Sequence, residues 1–357
     1  MPRRIQVAVT GLGVSRSMLH WYRESADTEL AILHDVDEAR LKEVAASHPG
    51  VRATTDFAEV LKSGVDMVDV STPNHIHPQQ AIAALEAGKH VLCQKPMAPT
   101  VAECQAMCAA AARSGKRLGM HMVMHGLPLY RSLKAMCERG LFGKIASVHV
   151  RNAHRGPLQR ADRGHWRAQA ANIGGGSFMQ LGVHNMNLVQ WLLNDEIVRV
   201  CGFADNLYCK HSMEGEDVVA AAGELASGAK ITLESGYSST GNVTAVYGTE
   251  GHFAMTRNGE LLLEAREAYR DEVLEYPGPG RKAGDVIAVP GEESVKRTKT
   301  PVDYPHIQQL AFARAVRDGQ PAPSPGEEGL RDVAIVQAIY RAAKEKRVVE
   351  VSEVREA

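Results

Sequence analysis

The chain has 357 residues, with 41 lysines and arginines against 42 aspartates and glutamates, so its formal net charge is −1. This length has room for two domains, and the charge lacks the positive excess that general nucleic-acid or anionic-membrane binding needs. No apolar run approaches the roughly 20 residues that span a bilayer. The six cysteines form no CxxC pair, and Arg3-Arg4 precedes a short strand-like segment rather than a signal peptide. We therefore expect reduced thiols in a cytoplasmic protein.

The first third of the chain alternates strand and helix patterns. Strands are predicted at 5–10, 29–34, 65–71 and 91–93, and helices through 19–22 and at 40–47, 78–87 and 101–114. Repeated βα units of this length predict a parallel, doubly wound α/β sheet with right-handed crossovers.

A glycine loop and an acid follow the first two predicted strands. Gly11-Leu12-Gly13 comes directly after the first, and Asp35 ends the second, 24 residues after Gly11. This is near the spacing at which a carboxylate binds the ribose of a dinucleotide. Arg16 stands at the third glycine position of that fingerprint, so the helix must pack differently there. Asp35 favours NAD because it would repel a 2′-phosphate, and Arg40 lies too far along the next helix to neutralise it. We predict NAD contacts from the following residues, with a purely structural glycine turn as the alternative: Gly11, Leu12, Gly13, Val14 and Asp35.

Two further strands of the predicted sheet end in polar residues. After the strand at 65–71, a turn presents Thr72, Pro73, Asn74 and His77. At the carboxyl edge of a parallel sheet these groups can line a nicotinamide site, although turn formation and helix entry are alternative roles. After the strand at 91–93 comes Gln94-Lys95-Pro96. A residue before proline is extended, so Lys95 is aimed at the same edge.

The order of these motifs resembles the Gfo/Idh/MocA oxidoreductases over nearly the whole chain. It comprises GxG, the strand-end Asp35, Thr-Pro-Asn-His-x-His, Ala-Leu-Glu-Ala-Gly-Lys-His-Val-x-Cys-x-Lys-Pro and Gly-Gly-Gly…Gly-x-His. The resemblance implies an N-terminal Rossmann domain and a C-terminal α+β domain whose open, mostly antiparallel sheet covers the nicotinamide. We place these domains at 1–122 and 123–357. The family's sheet often forms the oligomer interface, so we expect a homo-oligomer, either a dimer or a tetramer.

The second half of the chain is independently rich in strand patterns. They are predicted at 145–152, 198–204, 218–225, 230–235, 243–247 and 261–265. Because no helices separate them as in the first half, they predict an antiparallel sheet. The polar, Pro-Gly-rich residues 267–300 predict a long excursion from that sheet.

The resemblance also assigns candidate catalytic residues. The family's lysine maps onto Lys95 and its histidine onto His184, which we predict to be catalytic. Lys95 is also a predicted cofactor contact. Three acids of the family pattern are amides here: Gln94, a predicted cofactor contact, Gln180, a predicted substrate ligand, and Asn187. Amides do not hold a nearby imidazolium as acids do. We therefore expect a neutral His184, suited to act as a base.

Residues 151–167 carry five arginines, two histidines and a single acid, Asp162. Trp166-Arg167 matches the family's tryptophan–arginine pair, which implies cofactor contact. His154, Arg163 and Trp166 are predicted substrate ligands. Because arginine binds carboxylates and phosphates bidentately, an anionic substrate is one interpretation. A solvated loop or an intersubunit ion-pair surface is the other.

His121 follows the last predicted Rossmann strand and is a further candidate substrate ligand. It stands four residues before His125, a spacing that could place two imidazoles on one helix face. However, no glutamate completes an HExxH motif, and a glycine and a proline follow soon after. We predict no metal site.

These features predict a NAD-dependent oxidoreductase acting on a CH–OH or C=O group of a sugar, cyclitol or sugar-acid derivative, with no nucleic-acid or membrane partner. Two alternatives stay open. One is a glycoside-cleaving enzyme that retains NAD, oxidises the sugar transiently and eliminates the aglycone. The other is a non-catalytic NAD- or sugar-binding protein.

Overall fold

The computed structural model describes residues 3–156, 163–256, 261–265 and 308–356. The chain divides by contacts into two compact units. The first holds the residues up to Gly126, Ala171–Gly174 and a late stretch that ends at Val333. The second holds Leu127–Ala170, the chain from Gly175 to that late stretch, and the C-terminal part from Ala334. The predicted excursion at 267–300 lies outside the described residues.

The first unit is built on a six-stranded parallel sheet. Its strands are β1 (Ile5–Thr10), β2 (Thr28–His34), β3 (Arg52–Thr54), β4 (Met67–Val70), β5 (His90–Cys93) and β6 (Leu118–Met120). Its helices are α1 (Leu19–Glu24), α2 (Glu38–Ala46), α3 (Phe57–Lys62), α4 (His77–Glu86) and α5 (Val101–Ser114). The strand order β3-β2-β1-β4-β5-β6 is that of the dinucleotide-binding Rossmann fold, which confirms the predicted doubly wound sheet.

Helix α5 matches its predicted bounds because both of its ends are encoded locally. The Thr100 hydroxyl accepts a bond from the Glu103 amide at 3.3 Å, and the Glu103 carboxylate accepts one from the Thr100 amide at 3.0 Å. This capping box fixes the start of the helix. Gly115, at φ +65°, ends it in the left-handed conformation that glycine adopts without strain.

The second unit is built on an eight-stranded mixed sheet. Its strands are β7 (Ile145–Ala153), β8 (Ile197–Asp205), β9 (Val218–Leu225), β10 (Lys230–Gly236), β11 (Val243–Gly248), β12 (Gly251–Thr256), β13 (Leu261–Ala265) and β14 (Val349–Glu350). The order is β13-β12-β11-β7-β10-β9-β8-β14. Among the described strands of this second sheet, only the pair β7 and β10 is parallel. The prediction of a mostly antiparallel sheet is therefore confirmed.

Helices interrupt this half of the chain where the sequence predicted none. They are α6 (Pro128–Glu138), α7 (Ala170–Ile173), a π-helical turn (Phe178–Gly182) and α8 (Val183–Leu193). The last three lie between β7 and β8, so the expectation that helices do not separate these strands was wrong. The crossover they make also explains how β7 and β10 come to run parallel, because parallel neighbours need a long connection.

The two faces of the second sheet differ in burial. Val148 and Val150 of β7 and Leu233 of β10 are buried on one face. On that face the Asn152 amide group donates to the Leu181 carbonyl at 3.3 Å, so the π-helical turn covers it. On the opposite face Phe203 of β8 is 75% exposed, beside small side chains of β9.

The chain closes with α9 (Gln308–Arg317), α10 (Gly326–Glu345) and α11 (Ser352–Arg355). Helix α9 belongs to the first unit, although its sequence position falls in the predicted domain 123–357. Phe312 fills the space beside Gly119, where a Cβ would lie 2.6 Å from the phenyl ring. Arg314 and Arg317 both pair with Asp27.

All six cysteines are free thiols. Among the helices of the described residues, none combines the length and the hydrophobicity of a membrane span.

Candidate active site

The loop after β1 has the backbone geometry of a dinucleotide cradle. Gly11 has φ +84°, and a Cβ there would lie 2.6 Å from the Thr72 amide nitrogen, so only glycine fits. At Gly13 a Cβ would meet nothing within 4 Å, so this backbone is accessible to a ligand. A 3-10 turn at Ser15–Ser17 precedes α1, and it holds Arg16 at the position where the fingerprint has its third glycine. Helix α1 begins after this turn, at Leu19.

Asp35 is buried at the end of β2 and is fully hydrogen-bonded. Its carboxylate accepts the Leu12 amide at 2.7 Å and the Asp37 amide at 2.9 Å. Arg40 Nη1 lies 3.1 Å from both carboxylate oxygens, so the expectation that Arg40 is too distant was wrong. The first turn of α2 brings position 40 back over the strand end. A carboxylate has about four acceptor sites, and these bonds occupy them. A further donor could therefore bind Asp35 only in place of this guanidinium, which is 40% exposed.

His77 anchors the turn after β4. Its Nε2 lies 2.7 Å from the Thr72 carbonyl oxygen and its Nδ1 lies 3.1 Å from that of Pro96. Burial lowers the pKa of His77 to about 4, although hydrogen bonds to these carbonyls oppose the shift. The neutral ring thus ties the β4 loop to the β5 loop. Its predicted contact with the cofactor would require one of these bonds to break.

Lys95 lies two residues beyond β5 and is half-buried. The preceding Gln94 amide donates to the Val70 carbonyl at 2.9 Å, and the Lys95–Pro96 peptide bond is cis. The Pro96 carbonyl oxygen lies 3.1 Å from His77 Nδ1. Hydrogen bonds on both sides therefore hold the lysine at the carboxyl edge of the sheet, as the sequence predicted.

The same edge presents buried polar atoms with no hydrogen-bond partner among the described residues. They are Asn74 Nδ2 and both ring nitrogens of His121. Burial lowers the pKa of the His121 imidazole, although the carboxylate of Asp69 opposes this shift. Leaving such groups unsatisfied costs about 1–3 kcal/mol each, so the site is suited to a polar ligand. A dinucleotide fits this arrangement, with Gly11–Val14, Asp35, Thr72 and Asn74 positioned to hold it.

In the second unit, the π-helical turn and α8 carry the other predicted catalytic groups. Positions 180, 181, 184 and 185 are the partly exposed ones, which places Gln180 and His184 on a common side of the helix. Asn187, one turn further, is buried. The Asn152 amide group fixes this stretch by donating to Asn185 at 3.0 Å.

Arg167 contacts both Trp166 and Gln180. The Arg167 guanidinium lies 4.5 Å from the centre of the Trp166 indole, a cation–π geometry. Gln180 Nε2 donates to the Arg167 carbonyl at 3.3 Å. Close by, the centre of the His154 ring lies 4.9 Å from that of Tyr237, with the two rings tilted by 50°. Tyr237 packs with Ala168 and Leu181. The sequence missed Tyr237 because nothing distinguishes it from a core aromatic residue of the sheet.

The arginine-rich segment does not form one cationic surface. Arg151 belongs to β7 and pairs with Glu234, so it is not available to an anion. Position 160 lies outside the described residues. Arg163 is exposed, and no contact within the described part of the chain joins it to the other predicted substrate ligands. Fewer arginines are thus available to bind an anionic substrate than the sequence suggested.

A buried glutamate, Glu216, underlies the glycine triplet and was not predicted. Its Oε1 accepts the Phe178 amide at 2.7 Å and the Tyr340 hydroxyl at 2.9 Å. Burial raises the pKa of Glu216 to about 7, against the lowering effect of these bonds. Since Gly215-Glu216-Asp217 has the composition of a solvated turn before a strand, the sequence alone offers no signal of burial.

Within the described residues, no group of three or more His, Cys, Asp or Glu side chains could hold a metal ion. His125, considered with His121 as a possible ligand, places Nδ1 2.9 Å from the Ser324 hydroxyl.

A Rossmann sheet with this loop, in one chain with a second domain that has a large mixed sheet, defines a dinucleotide-dependent oxidoreductase. The chain belongs to the Gfo/Idh/MocA oxidoreductase family. The family's NAD-binding Rossmann domain matches residues 5–122, and its C-terminal alpha/beta domain matches residues 134–351. NAD is accordingly its cofactor.

Relatives of known name extend over most of the chain. A 1,5-anhydro-D-fructose reductase of Ensifer adhaerens is 26% identical over 291 residues, 80% of each chain. A D-apiose dehydrogenase of Paraburkholderia graminis is 25% identical over 362 residues, 98% of this chain and 90% of the relative. Among solved structures, an aldose-aldose oxidoreductase from Caulobacter crescentus complexed with glycerol has a TM-score of 0.80 and 26% identity, and covers 98% of this chain and 100% of that one.

We predict that substitutions of Asp35 and of Arg40 have different effects on NADH affinity. Asp35→Ala should weaken binding about tenfold or more, because charged hydrogen bonds to the ribose contribute about 1.5–3 kcal/mol. Arg40→Ala should leave binding unchanged or tighten it, because it frees acceptor sites on Asp35. Fluorescence titration measures both. The control is Arg23→Ala, which removes an exposed guanidinium bonded to the Ser47 carbonyl at the far end of α2. Equal weakening by both substitutions would contradict the displacement of Arg40 by ribose.

We predict that Glu216 makes stability depend on pH. Its folded pKa, about 7, exceeds its ordinary value of 4.5, so the folded protein binds the extra proton. The contribution of Glu216 to the free energy of unfolding is fully present below about pH 4.5. As the pH rises to about 7 this contribution is lost, which lowers the free energy of unfolding by up to about 3 kcal/mol. Glu216→Gln should therefore gain stability relative to wild type over this range in denaturant unfolding. The control is Glu214→Gln, the same change on an exposed residue of this loop. A constant difference between Glu216→Gln and wild type would contradict the assignment.

Proposed function

We propose that this oxidoreductase acts on a CH–OH or C=O group of a sugar, cyclitol or sugar-acid derivative. The observation that carries the proposal is Lys95, which follows β5 at the same carboxyl edge of the sheet as the glycine loop that follows β1. The names of the relatives support the substrate class, since a 1,5-anhydro-D-fructose reductase and a D-apiose dehydrogenase both act on sugars. Neither alternative, glycoside cleavage or non-catalytic binding, has an observation in its favour.

Oxidation of a carbinol removes a proton from oxygen and a hydride from carbon. Bound NAD supplies the hydride acceptor. We assign the proton to His184, whose imidazole can exchange it near neutrality. We assign stabilisation of the developing alkoxide to the Lys95 ammonium group, which donates a hydrogen bond to the same oxygen. In the reverse direction Lys95 polarises the carbonyl and His184 returns the proton.

Gln180 sets the electrostatics around His184 in this proposal. Its neutral amide replaces the acid of the family pattern and is tied to Arg167 by its Nε2. Without that acid, no neighbouring charge at position 180 favours the imidazolium, so His184 is available as a base. Substrate hydroxyls would be bound by Gln180, His154, Trp166 and His121.

The proposal is tested by following NADH formation with neutral polyols, aldoses and sugar acids in parallel. Net NADH formation from any of these classes supports a dehydrogenase. A preference for acids would favour anion binding through Arg155, Arg163 and Arg167. Release of an aglycone without net NADH would instead identify the glycoside-cleaving alternative. NADH binding with neither activity would overturn the proposal.

We further propose a cytoplasmic homo-oligomer. Six free cysteines are consistent with a reducing compartment. On the open face of the second sheet Phe203 is 75% exposed, opposite Ala220, and Cys201 lies opposite Ala222. The exposed aromatic ring beside these small side chains suits contact with the same face of a second copy.

We predict that both proposed catalytic groups are required for turnover and that His184 is not required for cofactor binding. Lys95→Ala should lower kcat by about 10²–10³-fold and His184→Ala by about 10²–10⁴-fold. NADH titration should give near-wild-type affinity for His184→Ala. The matched control is Lys89→Ala, a lysine just before β5 at the opposite edge of the sheet. Wild-type kcat in either catalytic variant would exclude its assigned role.

We predict that Gln180→Asp moves the basic requirement of the reaction to higher pH. The introduced carboxylate would stabilise the His184 imidazolium, so more alkaline conditions are needed to free the base. The measurement is the pH profile of kcat/KM, with Gln180→Asn as the control that keeps a neutral amide. An unshifted or downward-shifted acidic limb in the aspartate variant would contradict the role of Gln180.

We predict that Phe203→Glu disrupts self-association. A buried, unpaired carboxylate at the centre of an interface costs several kcal/mol, while the exposed side chain contributes nothing to the isolated fold. Light scattering after gel filtration measures the mass. Tyr208→Glu, at an exposed aromatic residue outside the strands, is the control. An oligomer that persists in Phe203→Glu would exclude this face.

A further inference from the structure

The glycine triplet of the second unit is packed against another segment of backbone. A Cβ at Gly176 would overlap the Glu216 carbonyl, and a Cβ at Gly215 would overlap the Gly175 carbonyl. On the other side, a Cβ at Gly175 would overlap the Tyr340 hydroxyl. Glycine is therefore required here for close approach of chains, in addition to any contact with a ligand.

Glu216 forms the polar part of this contact. Its backbone carbonyl accepts the Ser177 amide at 2.8 Å, and its side chain accepts the Phe178 amide at 2.7 Å. These are the amides at the start of the π-helical turn, where no preceding turn supplies a carbonyl. An acceptor at a helix N-terminus both satisfies these groups and complements the helix dipole.

The capped turn leads directly to the proposed reactive groups. The backbone amide of Gln180 donates to the Gly176 carbonyl at 3.2 Å. His184 lies in the first turn of α8, which continues the π-helical turn. Tyr340 of α10 completes the arrangement. Its hydroxyl donates to Glu216 at 2.9 Å, and the Gly176 amide lies 3.3 Å from the same oxygen.

We propose that Glu216 is a positioning residue for the reaction. Its carboxyl group and backbone carbonyl fix where the π-helical turn begins, and hence where Gln180 and His184 stand. Glu216 touches neither cofactor nor substrate. The proposal rests on the catalytic role assigned above to His184, and it adds the reason why that side chain holds its place.

A merely structural role makes a different prediction. If Glu216 only stabilised the unit, its loss would lower stability without affecting turnover by the protein that remains folded. A positioning role requires a selective loss of kcat, because displacement of a reacting group by about 1 Å can cost about 10²-fold in rate. It also requires rescue by glutamine, whose amide oxygen can accept the same two bonds.

The experiment compares Glu216→Ala, Glu216→Gln and Tyr340→Phe with the matched control Glu214→Ala in the same loop. Three quantities are measured on each: kcat and KM, NADH affinity by titration, and hydrogen exchange of backbone amides 176–184 by mass spectrometry. If Glu216→Ala does not fold, Glu216→Asp replaces it, since it withdraws the carboxyl group by one methylene.

We expect Glu216→Ala to lower kcat by about 10–100-fold with unchanged NADH affinity and faster exchange in 176–184. Glu216→Gln should restore both quantities to within about threefold, and Tyr340→Phe should lie between them. The proposal would be overturned if Glu216→Ala had the same kcat and the same hydrogen exchange in 176–184 as Glu214→Ala. It would also be overturned if Glu216→Gln did not restore these two quantities. If no substrate is turned over, the exchange measurement still decides whether Glu216 holds the turn, so that failure of the proposed function is recognised separately.

Discussion

The structure depends on places where backbone passes backbone too closely for any side chain. At Gly11, the turn after β1 approaches the end of β4 so that a Cβ would lie 2.6 Å from the Thr72 nitrogen. This contact brings the glycine loop and the turn after β4 to one edge of the sheet. Leu12 can then donate to Asp35, and Gly13 is left accessible. Without it, the groups that hold the cofactor would not converge, whatever their chemistry.

The second unit uses the same constraint for another purpose. Gly175 and Gly176 approach Gly215 and Glu216, and the polar groups trapped by this contact are satisfied by one buried carboxyl group. Its setting differs from that of Asp35, which accepts two amides and a guanidinium at the end of β2. The donors to Glu216 are neutral, and their hydrogen bonds offset the effect of burial only in part. Burial therefore raises the pKa of Glu216. Asp35 and Glu216 are thus buried acids in contrasting electrostatic settings.

Local signals account for the elements that were predicted accurately. Helix α5 has a capping box at one end and a left-handed glycine at the other, and β9 and β13 likewise match their predicted bounds. Strand β3 and helix α3 were missed, since β3 is a three-residue strand with two exposed positions. Strand β12 was missed because it begins at a glycine within a turn-like sequence. Among site residues, Gly11, Asp35 and Lys95 carry a spacing or a neighbouring proline that identifies them, while Glu216 and Tyr237 carry none.

By itself, the sequence determined the Rossmann sheet, the family, the NAD cofactor and the placement of Lys95 at a strand end, because strand periodicity, glycine spacing and proline geometry act over a few residues. Only the tertiary structure decided which polar groups meet. Arg40 reaches back to Asp35, Arg151 pairs across the sheet with Glu234, and α9 returns to the first unit. The last two contacts join residues that are far apart along the chain. The first joins residues five positions apart, but it depends on where α2 begins. Burial, which sets the protonation of His77 and Glu216, likewise arises only when distant segments enclose a side chain.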